Sequence, residues 1–135
     1  MGDNVFLKSF GLNFVFVASY DTCWWAINYR YAGVIYPKRE KSTKKTAVLV
    51  TSRAILWMVY AAFLGFFGWL SDGKIDAAIF ISAAFGVGAF SFMNCATFPV
   101  DTEWRIWPTA IIDTLWGTVL MGASYTTAAL ILQRT

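Results

Sequence analysis

Two aspartates lie within strongly apolar sequence near opposite ends of the chain, and each begins the same four-residue pattern. Asp21-Thr22-Cys23-Trp24 and Asp113-Thr114-Leu115-Trp116 share the pattern Asp-Thr-x-Trp. A carboxylate inside a bilayer costs about 2.5–3.5 kcal/mol on insertion scales, so it needs a partner, a proton or a function. Two such carboxylates could share a proton and activate water, relay protons or ions, or fix helices to one another through ion pairs.

Catalysis has the least support among these possibilities. Intramembrane aspartyl proteases carry Gly-x-Gly-Asp around the second aspartate, whereas here Gly86-Val87-Gly88 is followed by Ala89 and Asp113 stands in Ile-Ile-Asp-Thr. The chain has no His and only two Cys, Cys23 and Cys95, both within apolar segments. Metal and nucleophile sites are usually built from clusters of such residues. We therefore predict no enzyme activity, no metal and no cofactor.

Composition places these residues in a membrane protein. The chain is 58% apolar, 19% aromatic and only 14% charged, whereas soluble domains are about 25% charged. Its mean hydropathy is +0.54. Because a spanning helix needs about 20 apolar residues, 135 residues give a single domain, 1–135, with room for four spans. We predict an all-α fold, a polytopic transmembrane four-helix bundle with short loops and helices at about 5–28, 46–70, 76–98 and 106–132.

Two further features predict how the helices pack. Ser71-Asp72-Gly73-Lys74 indicates a tight turn, so the second and third helices should be antiparallel neighbours. The third helix is rich in Ala, Gly and Ser, and small residues let membrane helices approach closely. We therefore expect the third helix at the packing centre.

A basic segment between the first two helices predicts orientation. It contains five cationic side chains in eight residues: Lys38, Arg39, Lys41, Lys44 and Lys45. Cytoplasmic loops of membrane proteins are enriched in Lys and Arg, so this segment should face the cytoplasm or its equivalent, with both termini on the opposite side. It should contact the bilayer through anionic lipid headgroups, and nucleic-acid binding is not expected.

Counting along each helix from this side brings four polar residues to one depth. Asp21, Arg53, Asn94 and Asp113 each lie seven to nine residues from a charged loop residue at the basic end, which corresponds to roughly 10–13 Å. We call these four residues the polar layer. Arg53 is predicted to neutralise one or both carboxylates and Asn94 to donate amide hydrogen bonds.

Several motifs together resemble a known family of small membrane proteins. They are Asp21 to Trp24, Tyr29-Arg30, Asn94-Cys95-Ala96-Thr97, Trp107-Pro108 and Asp113 to Gly117. The chain resembles the family grouped as domain of unknown function 2177, with Phe90-Ser91 and Met93 as departures from its pattern. The resemblance supports the fold and the polar layer, flanked by Trp24, Trp116 and Gly117, and implies no activity.

Two functional hypotheses follow. The first is a structural role, as an accessory subunit or membrane anchor of a larger assembly such as an organelle complex or a membrane-containing virion. It predicts a charge-neutral polar layer and contacts to other protein subunits. The second is a small transporter or proton-conducting protein in which Asp21 and Asp113 titrate.

Overall fold

Four long helices in up-and-down order make up most of the described part of the chain. The computed structural model describes residues 3–31, 34–35, 46–97 and 106–134. Helix α1 is Asp3–Arg30, α2 is Thr46–Leu70, α3 is Ile75–Thr97 and α4 is Ile111–Arg134. A wide helical turn, Ile106–Ala110, precedes α4 and contains an extended residue, Trp107 (φ −119°, ψ 134°). The predicted all-α bundle is confirmed, although the fourth predicted helix begins with this kinked turn.

The connection between α2 and α3 is the tight turn that the sequence predicts. Asp72 and Gly73 both have positive φ angles, 55° and 71°. The Gly73 N–H donates to the Gly68 carbonyl at 2.9 Å, and the Ser71 N–H donates to the Phe67 carbonyl at 3.0 Å. Such left-handed residues end helices, and glycine adopts the conformation without steric cost. The turn makes α2 and α3 antiparallel.

Helix α4, and not α3, is the centre of the bundle. Helix α3 packs mainly against α4, whereas α4 contacts α1, α2 and α3. The expectation that α3 is central is therefore wrong. The small residue Gly86 of α3 allows a close contact with the α4 backbone. A Cβ atom on Gly86 would lie 2.9 Å from the Gly117 carbonyl oxygen and from the Thr118 Cα. Small residues set how closely two helices approach, but not how many neighbours a helix has.

Aromatic side chains fill the wider space between α2 and α3. The rings of Tyr60 and Phe90 have centroids 5.6 Å apart, and those of Phe63 and Phe85 are 4.6 Å apart. These pairs connect helices whose backbones otherwise make few close approaches. The two helices are thus antiparallel neighbours separated by rings.

The distribution of polarity is that of a membrane protein. Buried polar residues occur on α1, α3, α4 and the wide turn: Ser9, Asn13, Asp21, Asn28, Ser82, Asn94, Thr109 and Ser124. Large apolar side chains such as Phe80 and Phe92 are about three-quarters exposed, at 76% and 75%. Among the described residues, three stretches are long and apolar enough to cross a membrane: Val50–Leu70, Ala78–Cys95 and Ile106–Gln133. The protein is therefore a multi-pass membrane protein.

Candidate functional site: a polar layer across four helices

The Asp21 carboxylate is contacted by side chains of two other helices. It lies on α1, is only 4% exposed, and pairs with the Arg53 guanidinium through a 2.5 Å contact to Oδ2. The Trp57 indole N–H donates to the same oxygen at 2.8 Å. The Trp116 indole N–H donates to Oδ1 at 3.2 Å. Both carboxylate oxygens therefore accept from donors, which come from α2 and α4.

Arg53 is held by helix geometry as well as by charge. It precedes Trp57 by one helical turn, so both side chains leave the same face of α2 and reach one carboxylate. The guanidinium carbon lies 4.8 Å from the centroid of the Trp25 ring, within range of a cation–π interaction. Because a third of the Arg53 side chain is exposed, the ion pair lies at the edge of the bundle.

Asn94 joins α3 to α4 in the same layer. Its side-chain amide donates to Asp113 Oδ2 at 2.9 Å and to Thr114 Oγ1 at 3.3 Å. The amide also donates to the Phe90 carbonyl at 2.8 Å, which orients the side chain along its own helix. An amide presented in this way can satisfy a carboxylate within hydrocarbon without adding charge.

The two Asp-Thr-x-Trp motifs contact each other directly. The rings of Trp24 and Trp116 are stacked, with centroids 4.6 Å apart and an angle of 7° between their planes. Trp116 also donates its N–H to Asp21, so the second motif supplies a hydrogen bond to the first. Gly117 lies against Phe90, whose ring occupies the place that a Cβ atom would take. This glycine therefore serves internal packing between α3 and α4.

All four residues of the polar layer line one partly open cavity of about 140 Å³. Its wall is completed by aromatic and apolar side chains: Trp25, Leu56, Tyr60, Phe90, Met93 and Trp116. The four residues that helical rise places at one depth therefore lie together in the structure. They include two pairs, Arg53 with Asp21 and Asn94 with Asp113. A cavity of this size and polarity can hold a few waters, each with about 30 Å³ of liquid volume.

The predicted basic segment, Lys38, Arg39, Lys41, Lys44 and Lys45, lies outside the described residues. Its neighbour Ile35 is described, and the Ile35 carbonyl accepts from the Thr109 hydroxyl at 2.6 Å. This contact ties the start of the connection between α1 and α2 to the turn that precedes α4.

No family model, curated protein or solved structure matches the chain. The resemblance to the domain of unknown function 2177 family therefore stays a prediction. Within the described ranges no three His, Cys, Asp or Glu side chains cluster as a metal site. Cys23 and Cys95 are unpaired and exposed on the outer surface of the bundle.

Two hydrogen-bond donors of the site, Trp57 and Tyr60, were not predicted from the sequence. Trp57 could have been found from its spacing, because it follows Arg53 by four residues on a helix. Tyr60, which lines the cavity and donates to the Met93 sulfur at 3.5 Å, gives no comparable signal in the sequence. Trp116 stands in the motif itself, but only the fold shows that its N–H reaches the other copy.

Proposed function

We propose that the protein is a structural four-span membrane protein, acting as an accessory subunit or membrane anchor of a larger assembly. The observation that carries this proposal is the coordination of Asp21, whose two carboxylate oxygens accept from Arg53, Trp57 and Trp116. A carboxylate neutralised and hydrogen-bonded in this way holds α1, α2 and α4 in one register. This is the behaviour expected of a scaffold.

Helix α1 is proposed as the fourth span, although it is less apolar than the other three. Its 28 residues are long enough to cross a membrane, since each adds about 1.5 Å. The polar residues that lower its hydropathy face inward: Ser9, Asn13 and Asp21 are all buried. Leu7 and Val15 are on the outer face and are 62% and 55% exposed. Polar residues inside and apolar residues outside are typical of spanning helices.

The proposed orientation places the basic connection on the cytoplasmic side. The ion pair Arg53–Asp21 and the pair Asn94–Asp113 lie toward the end of the bundle where α1 and α3 finish and α2 and α4 begin. Residues 31–45 connect α1 to α2 at this end and include the five Lys and Arg residues of the basic segment. Both termini then lie on the opposite side of the membrane, and anionic headgroups are the proposed lipid partners.

The structural role is tested by comparing the native and isolated states. In native membranes solubilised with a mild detergent, the protein should migrate within a complex much larger than its own mass. Reconstituted alone into proteoliposomes, it should carry no proton flux. The variant Arg53→Met should destabilise the bundle and reduce the amount of complex, whereas the exposed cation Lys8 can be replaced by Met without effect. A protein that is monomeric in its native membrane and conducts protons alone would contradict the proposal.

The second candidate function is a proton or ion relay, and the cavity lined by the polar layer is the observation in its favour. Asp21 and Asp113 both line this cavity of about 140 Å³, which could hold water between them. Proton flux into proteoliposomes, measured for the wild type, Asp21→Asn and Asp113→Asn, decides between the candidates. A relay requires flux in the wild type that each substitution abolishes.

A further inference from the structure

Met93 differs from the other methionines of the described ranges in what surrounds its sulfur. Met121 is fully buried, and Met58 is 50% exposed on α2. Met93, on α3, is 41% exposed, but it also lines the cavity that the polar layer lines. Its Sδ accepts a hydrogen bond from the hydroxyl of Tyr60, which is only 4% exposed. The Met93 sulfur therefore lies toward the inside of the bundle, next to the polar layer.

The cavity beside this sulfur suits a small polar reactant. Two carboxylates, a guanidinium and an amide are among the groups that line it, and it is partly open. Its volume of about 140 Å³ exceeds that of hydrogen peroxide, which is about as large as two waters of about 30 Å³ each. Helical periodicity places Met58 on a different face of α2 from Tyr60, within an apolar span. A polar oxidant can therefore reach Met93 through the cavity, whereas it reaches Met58 only through hydrocarbon, which is unfavourable.

The Tyr60 hydroxyl has only a weak hydrogen-bond acceptor in the Met93 sulfur. The two atoms are 3.5 Å apart, and a thioether is a poor acceptor. Oxidation converts the thioether into a sulfoxide, whose oxygen is strongly polar and usually disrupts an apolar core. Next to Tyr60 the new oxygen has a donor at hand. The resulting hydrogen bond joins α2 to α3, two helices whose backbones otherwise make few close approaches.

We propose that Met93 is a site of oxidation by hydrogen peroxide, and that its sulfoxide oxygen accepts from Tyr60 and strengthens the contact between α2 and α3. In this reaction a lone pair of the sulfur forms a bond to one peroxide oxygen while the O–O bond breaks. The proton of the transferred hydroxyl moves to the departing oxygen, which leaves as water. The sulfur is oxidised and the peroxide is reduced. The proposal rests on membrane insertion of the bundle, but not on the accessory role, so the failure of one leaves the other untouched.

The site is tested on the full chain in phosphatidylcholine nanodiscs, treated with dilute hydrogen peroxide and digested for mass spectrometry. The gain of one oxygen should be about tenfold faster at Met93 than at Met58, since a polar oxidant enters hydrocarbon unfavourably. Met121 should stay reduced because it is buried. The bulkier and more lipid-soluble tert-butyl hydroperoxide should lose or reverse the preference for Met93. Equal rates at Met58 and Met93 with hydrogen peroxide, or the same preference with both oxidants, would overturn the proposal.

The role of Tyr60 is tested in the Met58→Leu variant, in which Met93 is the remaining exposed methionine of the described ranges. Oxidation should leave the midpoint of SDS titration unchanged or raised in this variant. It should lower the midpoint when Tyr60→Phe is added, because the sulfoxide then lacks its donor.

Two comparisons separate this effect from others. Each protein is compared with its own reduced form, so a direct effect of Tyr60→Phe on stability cancels. Met93→Leu in the same variant should show no shift on oxidation. Equal shifts with and without the Tyr60 hydroxyl, or a shift that persists in Met93→Leu, would overturn the role of Tyr60. The ratio of oxidation rates at Met93 and Met58 needs no variant, so the site is tested even if Tyr60→Phe does not fold.

Discussion

The two copies of Asp-Thr-x-Trp have the same residue types but different surroundings. Asp21 is buried and accepts from a guanidinium and two indoles, so its charge is met by a charge. Asp113 is half-buried and accepts from the Asn94 amide, a neutral donor. An ion pair therefore links the first copy to α2, and one of the contacts of the second copy is an amide hydrogen bond to α3.

The remaining residues of the two motifs differ as well. Thr22 is exposed on α1, whereas Thr114 accepts a hydrogen bond from Asn94. Both tryptophans stack on each other, but the Trp116 N–H also reaches Asp21 in the other copy. The repeated pattern thus places the same polar atoms on α1 and α4. Which of these atoms form hydrogen bonds depends on the neighbouring helices.

Removing the counter-charge of the first copy should have the largest effect. Arg53→Met leaves the Asp21 carboxylate buried and without its charge partner. The Asp21 side chain is too short to reach water. We expect the free energy of unfolding to fall by about 3–5 kcal/mol. It can be measured by SDS titration in mixed micelles, followed by circular dichroism.

Two controls sharpen this result. Lys8→Met removes an exposed cation from α1 and should change stability little. The double variant Asp21→Asn with Arg53→Met removes both charges and should recover most of the loss, because no buried charge is left unpaired. A double variant that is as unstable as Arg53→Met alone would show that the ion pair is not the cause.

Neutralising each aspartate in turn tests the asymmetry between the copies. Asp21→Asn leaves Arg53 without its partner, but a third of this long side chain is already exposed, so the expected loss is about 2–3 kcal/mol. Asp113→Asn keeps an acceptor for the Asn94 amide, so we expect a smaller loss than for Asp21→Asn. The same SDS titration gives both values. Equal losses would mean that the two copies are equivalent after all.

Gly86→Ala tests the close approach of α3 and α4 on which the second copy depends. The new Cβ would lie 2.9 Å from backbone atoms of α4, which cannot rotate away, so we expect a loss of about 2 kcal/mol. Gly88→Ala is the matched control, because its Cβ would meet nothing within 4 Å. The control should be neutral or slightly stabilising, since alanine favours the helix. Similar losses for both variants would exclude helix contact as the cause.

The smallest effects are expected from the indole donors. Trp57→Phe and Trp116→Phe each keep a ring but remove one hydrogen bond to Asp21, so each should cost about 1 kcal/mol. Trp69→Phe, at a position that is 41% exposed, should cost less. In SDS titration, Trp57→Phe and Trp116→Phe should each lose more stability than Trp69→Phe. Equal losses for all three variants would show that the indole hydrogen bonds to Asp21 do not stabilise the bundle.

Much of the fold follows from the sequence because helix length and turn chemistry are local properties. The predicted range 46–70 coincides with α2, and the turn at Ser71-Asp72-Gly73-Lys74 forms with Gly73 in the left-handed region. Helical rise alone also placed Asp21, Arg53, Asn94 and Asp113 at one depth, and all four line the same cavity.

What the sequence could not supply is azimuth, the direction in which each side chain leaves its helix relative to the others. Depth counting cannot decide whether Arg53 pairs with Asp21 or with Asp113, because both aspartates lie at similar depths. It also cannot show that α4 is central, since this depends on which helix faces the others and not on composition. The pairing and the centre are tertiary properties, and they became visible only in the assembled bundle.

The stacked indoles of Trp24 and Trp116 make the site observable by its optical properties. Two near-parallel rings with centroids 4.6 Å apart are close enough for their excited states to couple. Stacked indoles therefore differ in absorption and emission from separated ones, and this difference is lost when the rings separate. The junction between the two motifs therefore carries its own spectroscopic reporter, and its integrity can be followed in detergent or lipid without any added label.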